Sequence, residues 1–148
     1  MEIIKSSDVD PYGTEMLSRY EQSMLMKEKG NFDEAERLLI SSVNPPSIFH
    51  GHYGELFKLW RKKIRKLIKA GDVNAALELL SLMFKLNSEM LDAMASYWSK
   101  IHGVERRVEY FASYSKINKT DIALFKKYSA KDANLDEVLK AEKYITSK

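Results

Sequence analysis

Apolar residues recur along the chain at spacings of three and four, and the runs break where glycine, proline or short polar stretches intervene. That rhythm predicts a succession of amphipathic helices. The strongest run is Tyr53, Leu56, Phe57, Trp60, Ile64, Leu67 and Ile68, all on one face of a helix. Ahead of it, Asp10 and Pro11 read as the N-cap and first position of a helix reaching about Lys29 and stopping at Gly30. Asn31 caps a second helix whose first turn carries Asp33 and Glu34, where the helix dipole favours negative charge. Ala35, Leu38 and Leu39 form its apolar stripe, and Pro45-Pro46 end it near Val43.

Gly71 closes the strong helix, and Asp72 or Asn74 caps a fourth with Ala76, Leu79, Leu80, Met83 and Phe84 inward. A fifth is expected from Asn87-Ser88, burying Met90, Leu91, Met94, Trp98 and Ile101 before Gly103. A sixth spans about Val104 to Ile117, with Val108, Phe111 and Tyr114 or Ser115 facing in. Thr120 caps a short seventh helix holding Ile122, Phe125 and Tyr128. Asn134 and Glu137 announce the last, whose apolar side is Val138, Leu139, Ala141 and Ile145. No segment alternates with period two for more than a few residues, so an all-α fold of about seven or eight helices is expected.

The stretch Gly30-Asn31-Phe32-Asp33-Glu34-Ala35 superposes on Gly71-Asp72-Val73-Asn74-Ala75-Ala76, with a leucine pair following in each (Leu38-Leu39, Leu79-Leu80). Glycine turns the chain between two helices, and alanine lets their backbones approach. These residues resemble the tetratricopeptide repeat: Gly30, Phe32 and Ala35 match its turn, and Trp60, Gly71 and Ala76 match a second unit. A third unit rests on Gly103, with Val108 in place of alanine. The glycines lie 41 and then 32 residues apart, against about 34 in the family. The resemblance implies antiparallel hairpins stacked as a right-handed superhelix within one domain. It places a first hairpin over 11–45, a second over 50–86, a third over 88–117, and C-terminal capping helices over 120–148.

Composition agrees with a packed domain: of 148 residues, 45% are hydrophobic and 30% charged. With no cysteine there is no disulfide or thiolate metal site. The opening MEIIKSSDVDPYG lacks a basic start and apolar run, and no stretch reaches the ~18 apolar residues of a membrane span. A cytoplasmic location without membrane partners is therefore expected. The 24 basic and 21 acidic residues leave a charge of only +3, so the placement of charge matters more than its sum.

Lys58, Arg61, Arg65 and Lys69 form a basic stripe on the strong helix. The resemblance implies that these residues, with Tyr20 and Lys27 of the first unit, line a concave groove. Arginine forks and lysine point charges suit an acidic peptide or a terminal carboxylate. The expected function is a non-enzymatic module binding a protein or peptide segment, with homo-oligomers also open to it. The plainer reading of the stripe is a solvated helix face. The same stripe can meet phosphates, which makes nucleic acid an alternative partner, although Tyr53, Phe57 and Trp60 lie on the face expected to be buried. His50, His52 and Glu55 offer part of a metal site without an evident third protein ligand, so a structured connector over 45–54 is the simpler reading and no metal or cofactor is expected. A small helical enzyme would look first to these histidines, but no phosphate loop, zinc-protease helix or serine–histidine–acid arrangement is present.

Overall fold

Gly30 and Gly71 both adopt left-handed backbone, with φ of 79° and 84°. Each donates its N–H to the carbonyl three residues back, Lys27 and Ile68 respectively. The next residue donates to the carbonyl five back, Asn31 to Met26 and Asp72 to Leu67, both at 2.8 Å. This paired closure is the Schellman stop, here used twice. Asn31 then accepts from the Glu34 N–H and Asp72 from the Ala75 N–H, each at 3.3 Å, so one turn ends a helix and begins the next. Asp72, rather than Asn74, is the cap.

The computed structural model describes residues 13–146, with side-chain surroundings over 18–145. Asp10 and Pro11 lie outside the described residues. The elements are α1 (Gly13–Glu28), α2 (Phe32–Ser42), α3 (His50–Lys69), α4 (Val73–His102), a 3-10 helix (Val108–Tyr114), α5 (Lys119–Tyr128) and α6 (Asp136–Thr146). The fold is all-α, with no strand among the described residues.

The two glycine turns make hairpins of α1 with α2 and of α3 with α4, and α2 packs on α3 between them. Ala35 and Ala76, at equivalent places in the repeat, are both fully enclosed, which is what close helix approach requires. Tyr53, Leu56, Phe57, Trp60 and Ile64 of α3 form the centre of the core with Leu39, Leu80, Met83, Met90 and Leu91. Each such side chain contributes about 1.5–3 kcal/mol by leaving water. Their polar tips are satisfied: the Tyr53 hydroxyl accepts the Ser47 N–H at 2.9 Å, and the Trp60 indole N–H donates to Glu36 at 3.1 Å.

Four expected boundaries are corrected. Asn87-Ser88 does not start a helix, because α4 runs unbroken for 30 residues. Asn87 lies buried inside it, donating to the Ser115 hydroxyl at 3.1 Å and accepting the Lys116 N–H at 2.8 Å. Those bonds tie α4 to the segment between the 3-10 helix and α5. Second, the expected sixth helix is only a 3-10 helix that packs on α4 and α6, so the third unit is not a pair of separate helices joined at Gly103. Phe111, Ala112 and Ser115 are buried while Tyr114 and Ile101 are exposed. Third, α3 begins at His50, so the two histidines sit in its first turn rather than in a connector. Fourth, the cap of α5 is Asn118, in a reciprocal capping box with Asp121, not Thr120. In α6, Val138, Ala141 and Tyr144 are buried, and Leu139 faces out.

Candidate functional site

The basic run of α3 divides between two flanks once neighbouring helices are in place. Arg61 turns toward α5. Its Nε donates to Asp121 Oδ1 at 3.0 Å, its Nη2 donates to Oδ2 at 2.7 Å, and the same Nη2 reaches the Lys116 carbonyl. Asp121, 1% exposed, also accepts the Asn118 N–H at 3.0 Å. Arg61 is therefore a structural brace between α3 and α5.

Lys27 and Lys58 are engaged too. Both donate to Glu55, at 3.0 and 3.2 Å. Burial raises the Glu55 pKa, but the hydrogen bonds and charges of the two lysines outweigh it and hold the carboxyl below its usual range. Tyr20 lies flat against His52, ring centroids 4.4 Å apart. Of the six residues expected to form a groove, Arg65 and Lys69 are exposed with no ion pair among the described residues. Arg65 borders a cleft of about 300 Å³ with Ile64, Leu80, Thr120 and Leu124.

The other flank faces α2. Leu59, Lys62, Lys63 and Lys66 follow one another at helical spacing and meet Phe32, Asp33 and Glu36 across a cleft of about 410 Å³. Phe32 is 48% exposed there, with the Lys62 ammonium 5.8 Å from its ring centre. Glu36 accepts from Trp60 at 3.1 Å and from Lys63 at 3.5 Å, which leaves Lys62 and Lys66 without carboxylate partners among the described residues. Sequence reasoning placed Phe32 in the turn motif and left Lys62 and Lys66 outside the basic stripe. The signal it lacked was the partner helix, since only α2 converts these positions into a cleft.

The three histidines sit against separate sets of aromatic rings. His52 is 3% exposed, stacked between Tyr20 and Phe49, the latter at 5.0 Å, and hydrogen-bonded to the Ser42 backbone. Burial pushes its pKa down to about 4, partly countered by the Ser42 bond. His50 packs on Tyr114 with centroids 4.9 Å apart, and its pKa is lowered by burial and then by the Lys116 charge. His102 stacks on Trp98 instead. Among the described residues no three histidine or acidic side chains converge as metal ligands, and no helix is long and apolar enough to cross a membrane.

No protein-family description matches the chain, and neither the curated proteins nor the solved structures compared with it contain a significant match.

Proposed function

We propose that the protein is a non-enzymatic interaction module that receives an acidic segment of a partner protein in the cleft between α2 and α3. The observation that carries this reading is the pairing of a half-exposed aromatic ring, Phe32, with Lys62, Lys63 and Lys66 in one cleft. An apolar side chain of the partner packs on Phe32 and Leu59, and its flanking carboxylates meet the lysines. Lys69, exposed one turn beyond Lys66 on the same helix, adds positive charge and has no ion pair among the described residues. The tetratricopeptide resemblance supports a binding role but puts it on the 58/61/65/69 stripe. Arg61 is committed to Asp121, which favours the α2 flank.

The test is a fluorescence titration of the chain with a short peptide carrying one aromatic anchor between glutamates, beside the same peptide with glutamines. Preferential, salt-sensitive binding of the acidic peptide, lost when Lys62, Lys63 and Lys66 become glutamate, supports the reading. Equal binding of both peptides, or acidic binding that survives the reversal, refutes it. Competition by duplex or single-stranded nucleic acid at the same lysines would move the α3 face to the nucleic-acid reading instead.

A further inference from the structure

The end of α4 and the 3-10 helix form a third cleft, of about 330 Å³, lined by Trp98, His102, Arg106, Tyr110, Phe111 and Tyr114. Among the described residues no carboxylate lines it. Its side chains offer π faces and N–H or O–H donors, a combination suited to a flat ring joined to an acceptor-rich anion. Tyr110 is 67% exposed, and the Arg106 guanidinium lies 5.1 Å from its ring centre. In the same lining, the Trp98 indole and His102 imidazole are nearly parallel and stacked, with centroids 5.5 Å apart.

Arg106 is held in place through its backbone. The Ser99 hydroxyl accepts its N–H at 2.7 Å and donates to its carbonyl at 3.3 Å, pinning the segment after Gly103 onto α4. The guanidinium forms no salt bridge among the described residues, so its fork remains available to an anion. Tyr110 meets the core only edge-on, through Phe111 with ring centroids 5.1 Å apart, and leaves most of its ring open beside the positioned arginine. Core aromatics such as Tyr53 and Trp60, by contrast, are enclosed and bonded.

We propose that this cleft binds one nucleotide, its base stacked on Tyr110 and the Trp98 wall and its phosphate held by Arg106. Stacking tolerates any base, because every base presents a π face. The phosphate supplies the acceptors that the donor-rich lining lacks, and bidentate arginine is the matching geometry. Exposed Glu105 and Glu109 flank Arg106 and Arg107 along the chain, so the positive surface is not a continuous track. A single nucleotide, free or at one position of a strand, is the unit recognised.

Equilibrium dialysis of the full chain against AMP, and separately against a short single-stranded RNA oligomer, tests this. Saturable binding within about 1 mM ligand is expected. Arg106→Ala should weaken it about tenfold, the scale of one charge-assisted contact, and reduce its salt dependence. Tyr110→Ala should weaken it about tenfold, the scale of one lost stack, and leave the salt dependence in place. Both side chains are peripheral to the core, and equal helicity of the variants verifies folding. Lys66→Glu, in the other cleft, should leave nucleotide binding unchanged, which separates this site from the peptide cleft. Much tighter binding of the oligomer than of AMP identifies a strand as the source, and equal affinity identifies a free nucleotide. The proposal is overturned if neither ligand saturates, if both variants bind like the native chain, or if inorganic phosphate binds as well as AMP.

Discussion

Arg61 and Asp121 stand 60 residues apart in the chain and form a two-pronged ion pair, with the shortest contact 2.7 Å. The carboxylate also closes the capping box of α5. One side chain of α3 therefore braces the start of α5. Asp121 is buried and its satisfaction depends on Arg61, so removing the arginine strands a charge.

Arg61→Ala is expected to destabilise the protein by about 2–4 kcal/mol, read from urea unfolding followed by circular dichroism. Lys58→Ala, which removes an exposed partner of Glu55, should leave the midpoint nearly unchanged. Equal midpoints for the two variants would show that the Arg61 pair is not a brace.

The glycine turns give a second contrast. A Cβ added at Gly30 or Gly71 meets no atom within 4 Å, so the cost of alanine there is conformational alone. Each substitution should destabilise by about 1–2 kcal/mol, the penalty of left-handed backbone for an L-residue. Gly51 is exposed in the first turn of α3, without positive φ and without crowding. Gly51→Ala should raise the midpoint by up to about 1 kcal/mol of stability. Thermal or urea melts of the three variants read these signs directly.

Asn87→Ala is expected to cost about 1–3 kcal/mol, because it leaves the Lys116 N–H without the Asn87 acceptor and removes the donor to Ser115. Helicity should stay unchanged, since α4 does not depend on Asn87 as a cap. Loss of helix content around this position would contradict the continuous α4.

These residues also show what was legible beforehand. Gly30 with Asn31 and Gly71 with Asp72 spell helix stops and starts within a few residues, and both turns form where expected. Ala35 and Ala76 were readable as close-approach sites for the same local reason. Asn87 misled because an asparagine that caps a helix and one that anchors a distant loop look the same in sequence. The spacing of Arg61 gave its angle on the helix but not the carboxylate facing it from α5. The α2–α3 cleft needed two helices at once, and the Trp98–Tyr114 cleft was hidden because Trp98 and Ile101 fit a buried stripe.

His52 supplies a pH dependence with a defined sign. Its folded pKa of about 4 lies below the ordinary value of 6.5, so the unfolded chain binds the proton more readily between those values. Its neutral burial is fully compatible with folding above pH ~6.5, and stability falls as pH drops from there toward ~4. The loss from this group is on the order of 3 kcal/mol. His50, shifted the same way, adds to it. His52→Phe keeps a flat ring between Tyr20 and Phe49 and removes the titrating group. Urea midpoints measured from pH 7 to pH 4 should decline less steeply in that variant, and identical slopes would refute the assignment.

The most direct measurement of the central claim is a nuclease-treated pull-down from source-cell lysate, quantified by mass spectrometry. Three baits of equal helicity are compared: the native chain, Lys62, Lys63 and Lys66 all changed to glutamate, and Lys58→Glu as a control outside the cleft. The α2–α3 cleft predicts a partner captured by the native chain and the control, lost by the triple variant, and bound through an acidic segment carrying an apolar side chain. Equal capture by all three baits, or a partner held through a segment without acidic residues, would contradict it.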